Sequence, residues 1–311
     1  MAKTAFLFPG QGSQSVGMLT GLDDYDNAIR ATFDEAGEAL GRDLGALVRE
    51  GPESELNRTE WTQPAMLAGG IALWRIHCQL GGPMPDAMAG HSLGEYAALV
   101  AAGSIGFADA IRVVHHRGRL MQAAVAEGEG SMAAILGLDD ADVERICGEM
   151  SAADSVVVAA NYNAPGQIVI AGHATAVDRA VEACSAAGAR RAMKLPVSVP
   201  SHTPLMQSAT DDLADALAGI EVRAPGCPVL HNLDRKAREA PDSIRRALVD
   251  QLTHPVHWTG TIRSLVDDGF ARFVECGPGR VLCGLGKRIE RSADWIALEQ
   301  AGALGDVAAG S

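Results

Sequence analysis

The apolar positions of this chain follow two rhythms. Short runs such as Ala5-Phe-Leu-Phe8 and Ala87–Ala89 are apolar throughout and end in glycine turns, Pro9-Gly10 and Gly90. Such runs predict strands buried on both faces. Longer windows carry the helical period, at about 24–40 and at 63–80, where Ala65, Leu67, Ile71, Leu73 and Leu80 recur. A helix of small residues continues from Gly94 to Ala102. Strands that end in glycine turns and feed helices predict a parallel α/β sheet.

The middle of the chain has another order. Ser131–Leu138 predicts a strand, Ala141–Met150 a helix and Val156–Ala160 a strand. Asn163–Gly166 predicts a turn, Gln167–Ala171 a strand, Ala174–Ala187 a helix and Arg191–Leu195 a strand. The order β-α-β-β-α-β is the ferredoxin-like split unit. The expected organisation is therefore an α/β catalytic core over 1–127 and 198–311, interrupted by a ferredoxin-like small subdomain over 128–197. In the returning core, helices are expected near 204–218, 242–252, 258–268 and 280–291, with a strand at Arg272–Glu275. The small residues Gly302–Ser311 predict a mobile tail.

Composition agrees with a compact globular chain, 47% hydrophobic and 21% charged. No apolar run approaches the ~18 residues of a membrane span, and the opening Met1-Ala2-Lys3 before Thr4–Phe8 is too short for a signal peptide. Cytoplasmic localisation and no membrane partner are expected. Cys78, Cys147, Cys184, Cys227, Cys276 and Cys283 form no CxxC pair, so buried reduced thiols are expected rather than zinc or disulfides. A net charge of −13 argues against nucleic acid. An acidic partner would need a local basic patch, for which Arg190, Arg191 and Lys194, or Lys287, Arg288 and Arg291, are candidates.

Gly90-His-Ser-Leu-Gly94 fits G-x-S-x-G, the sharp strand-to-helix turn that presents a serine hydroxyl at the tip of a sheet. The strand before it and the helix after it make this short pattern specific. Ser92 is thus the candidate nucleophile. At a helix start the free N–H of Leu93 is a natural oxyanion donor. Of nine histidines, His202 is singled out by Pro200-Ser-His-Thr-Pro204, a segment that resists helix and strand. His115, His116 and His173 are expected to be exposed, while His231, His254 and His257 carry no assignment.

A helix over 106–126 has the apolar stripe Phe107, Ala110, Ile111, Val114, Gly118, Met121 and Val125. Arg112, His116 and Arg119 fall opposite, whereas Arg117 lies at the stripe's edge. An arginine aimed at a core needs a carboxylate, from an internal salt bridge or from a substrate held by the guanidinium fork. Gly10-Gln11-Gly12 does not extend to a dinucleotide fingerprint, because Ser15 stands where the third glycine would be. Those glycines are expected to bring a backbone loop close to the serine.

Together these segments, with Phe8–Gln14, Thr62–Ala65, Glu95-Tyr96, Gly118, Asn161–Gly172, Pro196–His202, Gln251 and Val274–Gly279, resemble the malonyl-CoA:acyl-carrier-protein transacylases of dissociated fatty-acid synthesis. They are also similar to the acyltransferase domains of polyketide synthases. The resemblance covers nearly the whole chain. It implies Ser92 as the acylated nucleophile, His202 as its base, and Gln11 with the Leu93 N–H as the oxyanion hole. It implies Arg117 as the malonyl carboxylate clamp, Gln251 orienting His202 through its main-chain carbonyl, and Gln63 lining the pocket; Met121 and Ser201 would set its width. It further implies malonyl-CoA and acyl carrier protein as partners, a monomer, and no metal or bound cofactor. A serine hydrolase shares the elbow but leaves Arg117 without a role, and a non-catalytic binding module explains neither elbow nor base.

Overall fold

The computed structural model describes residues 3–197 and 199–310; Met1, Ala2, Ser198 and Ser311 lie outside the described residues, Ser198 being where the return to the core was placed. The chain opens with β1 (Lys3–Phe8), α1 (Asp26–Leu40), α2 (Leu44–Glu50), α3 (Glu53–Leu56) and α4 (Thr59–Gln79). It continues with β2 (Ala87–Gly90), α5 (Gly94–Ala101) and α6 (Phe107–Ala123). A second set follows: β3 (Gly130–Leu136), α7 (Asp140–Met150), β4 (Val157–Ala164), β5 (Gln167–His173), α8 (Ala174–Ala186) and β6 (Arg191–Lys194). The chain then passes through a 3-10 turn (Pro204–Ala209), α9 (Thr210–Ala218), β7 (Val229–Leu230), α10 (Pro241–Asp250) and α11 (Trp258–Asp267). It closes with β8 (Phe270–Glu275), α12 (Val281–Ile289), β9 (Asp294–Ala297) and α13 (Ala303–Ala308).

The first sheet is five-stranded in the order β7-β2-β1-β8-β9, and every pairing in it is parallel. The period of two is visible in β1. Phe6 and Phe8 enter a large core with α1, α4, α5 and α6, while Ala5 and Leu7 enter a second core with Trp258 and Ile262 of α11 and Leu282 of α12. Helices thus cover both faces, which is why the strands are apolar throughout. The β1 and β2 strands lie side by side, with Phe8 opposite Gly90, so the loops after both emerge at the same edge.

The second sheet is four-stranded and antiparallel, in the order β4-β5-β3-β6. Its helices α7 and α8 bury Val143, Ile146, Val177 and Ala180 against Ile135, Val157, Ile168 and Ile170. This is the strand order of a ferredoxin-like unit. Backbone bonds tie it to the first unit: Tyr162 N–H donates to Val256 O and Val256 N–H to Ala160 O, each at 2.9 Å. No helix among the described residues is long and apolar enough to cross a membrane.

Several elements differ from the sequence expectation. The helix expected from 63 begins at Thr59, because its second turn tolerates Pro64 instead of ending there. The turn at 163–166 narrows to Pro165-Gly166, since β4 runs on to Ala164. The helix expected from 204 begins as a 3-10 turn, with Pro204 at its start. The tail is not loose: α13 puts Leu304 and Val307 into the main core. Cys78 is exposed, while the other five thiols are buried. His115, His116 and His173 are half-buried, not exposed: the His115 ring packs 4.7 Å from Trp61 and His173 Nδ1 accepts from Val156 N–H.

Candidate active site

The turn from β2 into α5 is built by glycines at close approaches. A Cβ on Gly90 would lie 1.9 Å from the carbonyl carbon of Gly94, and one on Gly94 would lie 2.0 Å from Phe8 O. The loop after β1 presses on the same turn, where a Cβ on Gly10 would stand 2.4 Å from His91 O. Ser92, at the apex, holds φ +51°, the left-handed region that an L-residue enters at a cost. Its N–H donates to Asn232 Oδ1 at 2.6 Å, and Asn232 Nδ2 donates to Gly90 O at 2.6 Å, so one amide braces both sides of the turn.

His202 meets the serine from 110 residues away in sequence, with Nε2 at 2.7 Å from Ser92 Oγ. Its Nδ1 lies 2.8 Å from Gln251 O. A carbonyl only accepts, so Nδ1 carries the proton and Nε2 is left to accept from the hydroxyl. The ring is buried, and burial together with the nearby Arg117 charge pushes its pKa down to about 3, against the opposing pull of the Gln251 carbonyl. The imidazole is thus neutral and ready to take a proton.

Arg117 is fully buried, and among the described residues no carboxylate forms a salt bridge with it. Nη1 donates to Gln63 Oε1 at 2.9 Å, and Nη2 donates to Gln251 Oε1 at 3.0 Å and to Ser92 Oγ at 3.5 Å. Gln63 Nε2 in turn reaches Met121 Sδ at 3.4 Å. The internal salt bridge is therefore not made. A buried guanidinium held by neutral amides beside a serine hydroxyl has the chemistry to receive a carboxylate brought by a ligand.

The structure thus brings Ser92, His202, Arg117, Gln251, Gln63 and Met121 into one connected group. Leu93 is buried at the head of α5, and its N–H has no partner among the described residues. Gln11 is the outlier, for it is exposed and its Nε2 reaches Thr59 Oγ1 at 3.5 Å rather than Ser92. Of the two basic patches, Lys194 pairs with Asp178 at 2.8 Å, and Arg288 Nη1 donates to Gln167 Oε1, joining α12 to β5.

Five polar residues were given no role from sequence. Asn232 braces the elbow. Glu95 and His231 form a fully buried pair at 2.6 Å directly beneath it. His91 Nε2 meets Asn163 Oδ1 at 2.8 Å, linking the elbow to β4 of the second sheet. The one available signal was His231-Asn232 directly after the apolar Val229-Leu230, a strand-end position.

Residues 5–303 match the family model described as acyl transferase domain. The chain is 54% identical over 304 residues to the malonyl CoA-acyl carrier protein transacylase of Salmonella typhimurium, with 98% of each chain covered. It is 42% identical over 298 residues to the protein of that name from Bacillus subtilis, covering 96% of this chain and 94% of that one. Among solved structures, the malonyl CoA-acyl carrier protein transacylase of Coxiella burnetii superposes with a TM-score of 0.95 at 47% identity, over 97% and 96% of the two chains. A malonyl-transacylase solved in complex with its type II PKS acyl-carrier protein gives a TM-score of 0.97 at 49% identity, over all of both chains.

Proposed function

This chain belongs to the acyl transferase domain family, and from that premise we propose that it carries a malonyl group from coenzyme A, by way of Ser92, to the phosphopantetheine thiol of an acyl carrier protein. One observation carries the residue assignment: the hydroxyl 2.7 Å from a neutral buried imidazole also lies 3.5 Å from a buried guanidinium that lacks a carboxylate. Base, nucleophile and carboxylate seat meet at one oxygen.

As Ser92 Oγ attacks the thioester carbonyl, its proton passes to His202 Nε2. The tetrahedral oxyanion is met by the Leu93 N–H at the start of α5 and by Gln11. The C–S bond breaks, and the departing coenzyme A sulfur takes the proton from the imidazolium. The malonyl ester on Ser92 is then attacked by the carrier thiol, which gives its proton to His202, and Ser92 recovers it as the ester opens. Arg117 holds the malonyl carboxylate, while Gln63 and Met121 bound the pocket around it. The Gln251 carbonyl keeps the proton on His202 Nδ1 throughout.

A hydrolase triad would set an acid behind the histidine; here the Nδ1 partner is a main-chain carbonyl. The enzyme is taken to act as a cytoplasmic monomer. A polyketide carrier as acceptor is the second reading, favoured by the similarity to the transacylase solved with such a carrier; the chemistry is the same.

Intact-protein mass after brief mixing with malonyl-CoA tests the proposal. A malonyl-sized gain is expected in the wild type and absent in Ser92→Ala, and carrier protein should discharge it. Loss of the thioester to water with no adduct would assign the chain to the hydrolases.

A further inference from the structure

Below the elbow lies a buried carboxylate for which the acyl-transfer steps have no use. Glu95, in the first turn of α5, is fully buried. Its Oε1 accepts from His231 Nδ1–H at 2.6 Å, and its Oε2 accepts from Asn232 N–H at 2.8 Å and Gln251 Nε2–H at 2.9 Å. The second hydrogen of the Gln251 amide goes to Ser92 O at 3.1 Å. Both of those partners can only accept. The amide orientation is therefore chemically determined: NH₂ towards Glu95 and the elbow, Oε1 towards Arg117.

We infer that Glu95 is a specificity-determining positioning residue, fixing the Gln251 amide so that its oxygen holds the Arg117 fork in the seat that receives the malonyl carboxylate. The inference rests on the carboxylate-clamp reading of Arg117. Without the Glu95 acceptor, the Gln251 amide keeps only one of its two anchors. Once it turns over, its NH₂ faces the guanidinium, donor against donor, and Arg117 leaves its place beside Ser92 Oγ. The same carboxylate also faces Arg117 electrostatically, opposing the effect of burial on that cation. The Gln251 main-chain carbonyl on His202 is a separate contact, so the effect should fall on acyl selectivity more than on turnover.

The readout is the ratio of kcat/KM for malonyl-CoA to that for acetyl-CoA, measured with carrier protein as acceptor. Glu95→Met keeps the length and removes the acceptors; it should lower the ratio about tenfold, the scale of one hydrogen bond to a charged group. Glu95→Gln, which keeps one acceptor oxygen, should recover most of that loss. Gln251→Met leaves the backbone carbonyl in place and should lower the ratio as Glu95→Met does. Adding Glu95→Met to it should change the ratio no further. Should Glu95→Met yield no folded protein, the Gln251→Met ratio decides alone, and a wild-type value overturns the inference. Equal losses for both acyl donors in Glu95→Met would make Glu95 merely structural. Arg117→Ala separates the two layers: if it levels the donors while Glu95→Met and Gln251→Met keep the wild-type ratio, the positioning role is wrong and the clamp stands. If Arg117→Ala keeps the preference for malonyl, clamp and positioning fall together.

Discussion

Arg117 Nη2 stands 3.5 Å from Ser92 Oγ, so the buried cation and the serine hydroxyl are direct neighbours. An acyl group on Ser92 that ends in a carboxylate can reach the guanidinium; one that ends in a methyl leaves it buried and unpaired. Replacing Arg117 by alanine should therefore cost about 2–5 kcal/mol of transition-state binding for malonyl and little for acetyl. Initial rates with the two coenzyme A esters measure this. A variant that still strongly preferred malonyl would remove the clamp from Arg117.

The depressed histidine has a pH consequence. An unburied histidine titrates near 6.5, whereas burial first and Arg117 second bring His202 down to about 3. The unfolded chain then binds this proton more readily than the folded one. The stabilisation is whole above pH 6.5 and is lost as pH falls from 6.5 towards 3. Over that window the base stays neutral, so single-turnover malonylation of Ser92 should show no break near pH 6.5. A malonyl carboxylate on Arg117 offsets the second of these causes, so the acid limb of kcat should lie above that of kcat/KM. A rate that halves at pH 6.5 would place His202 in a far wetter setting than it occupies.

The brace on the elbow gives a stability prediction. Asn232→Ala takes this partner from the part-buried Ser92 N–H and from the buried Gly90 carbonyl, a loss of about 1–3 kcal/mol for an unsatisfied buried group. Urea unfolding should register it, and Ser92 acylation should slow as the apex loosens. An unchanged midpoint would show that water replaces the amide.

Much of this site was legible because its signals are local. Gly90, Ser92 and Gly94 declare the elbow within five positions, and the edge position of Arg117 follows from one helix's periodicity. The βαββαβ order was readable for the same reason: each element carries its own pattern. What escaped is what the fold joins across long distances. Asn232 and Glu95 meet over 137 residues, and the Asn232 bond to Ser92 N–H spans 140. No spacing rule connects such positions. The two residues of β7 are too few to show alternation, and the Ala- and Gly-rich tail hides α13, whose reason to fold is the core that Leu304 and Val307 find. Gln251 was reached only through the family resemblance, since its working group towards His202 is a backbone carbonyl that any residue would supply.

The two central residues also share a backbone state. Ser92 at φ +51° and His202 at φ +63° are both left-handed, a state held by only two other non-glycine residues among those described, Leu19 and Arg235. For an L-residue that region costs about 1–2 kcal/mol. Glycine avoids this cost, although its unfolded chain has about 0.5–1 kcal/mol more freedom to lose. Ser92→Gly and Ser92→Ala both delete Oγ and its contacts with His202 and Arg117, so comparing them isolates the backbone. Ser92→Gly should be the more stable by roughly 0.5–1 kcal/mol, seen as a higher urea midpoint with the same slope. Both should be inactive. Equal midpoints would mean that the surrounding bonds to Asn232 and Gln251 absorb the strain, and a less stable glycine variant would mean that the apex is not strained at all.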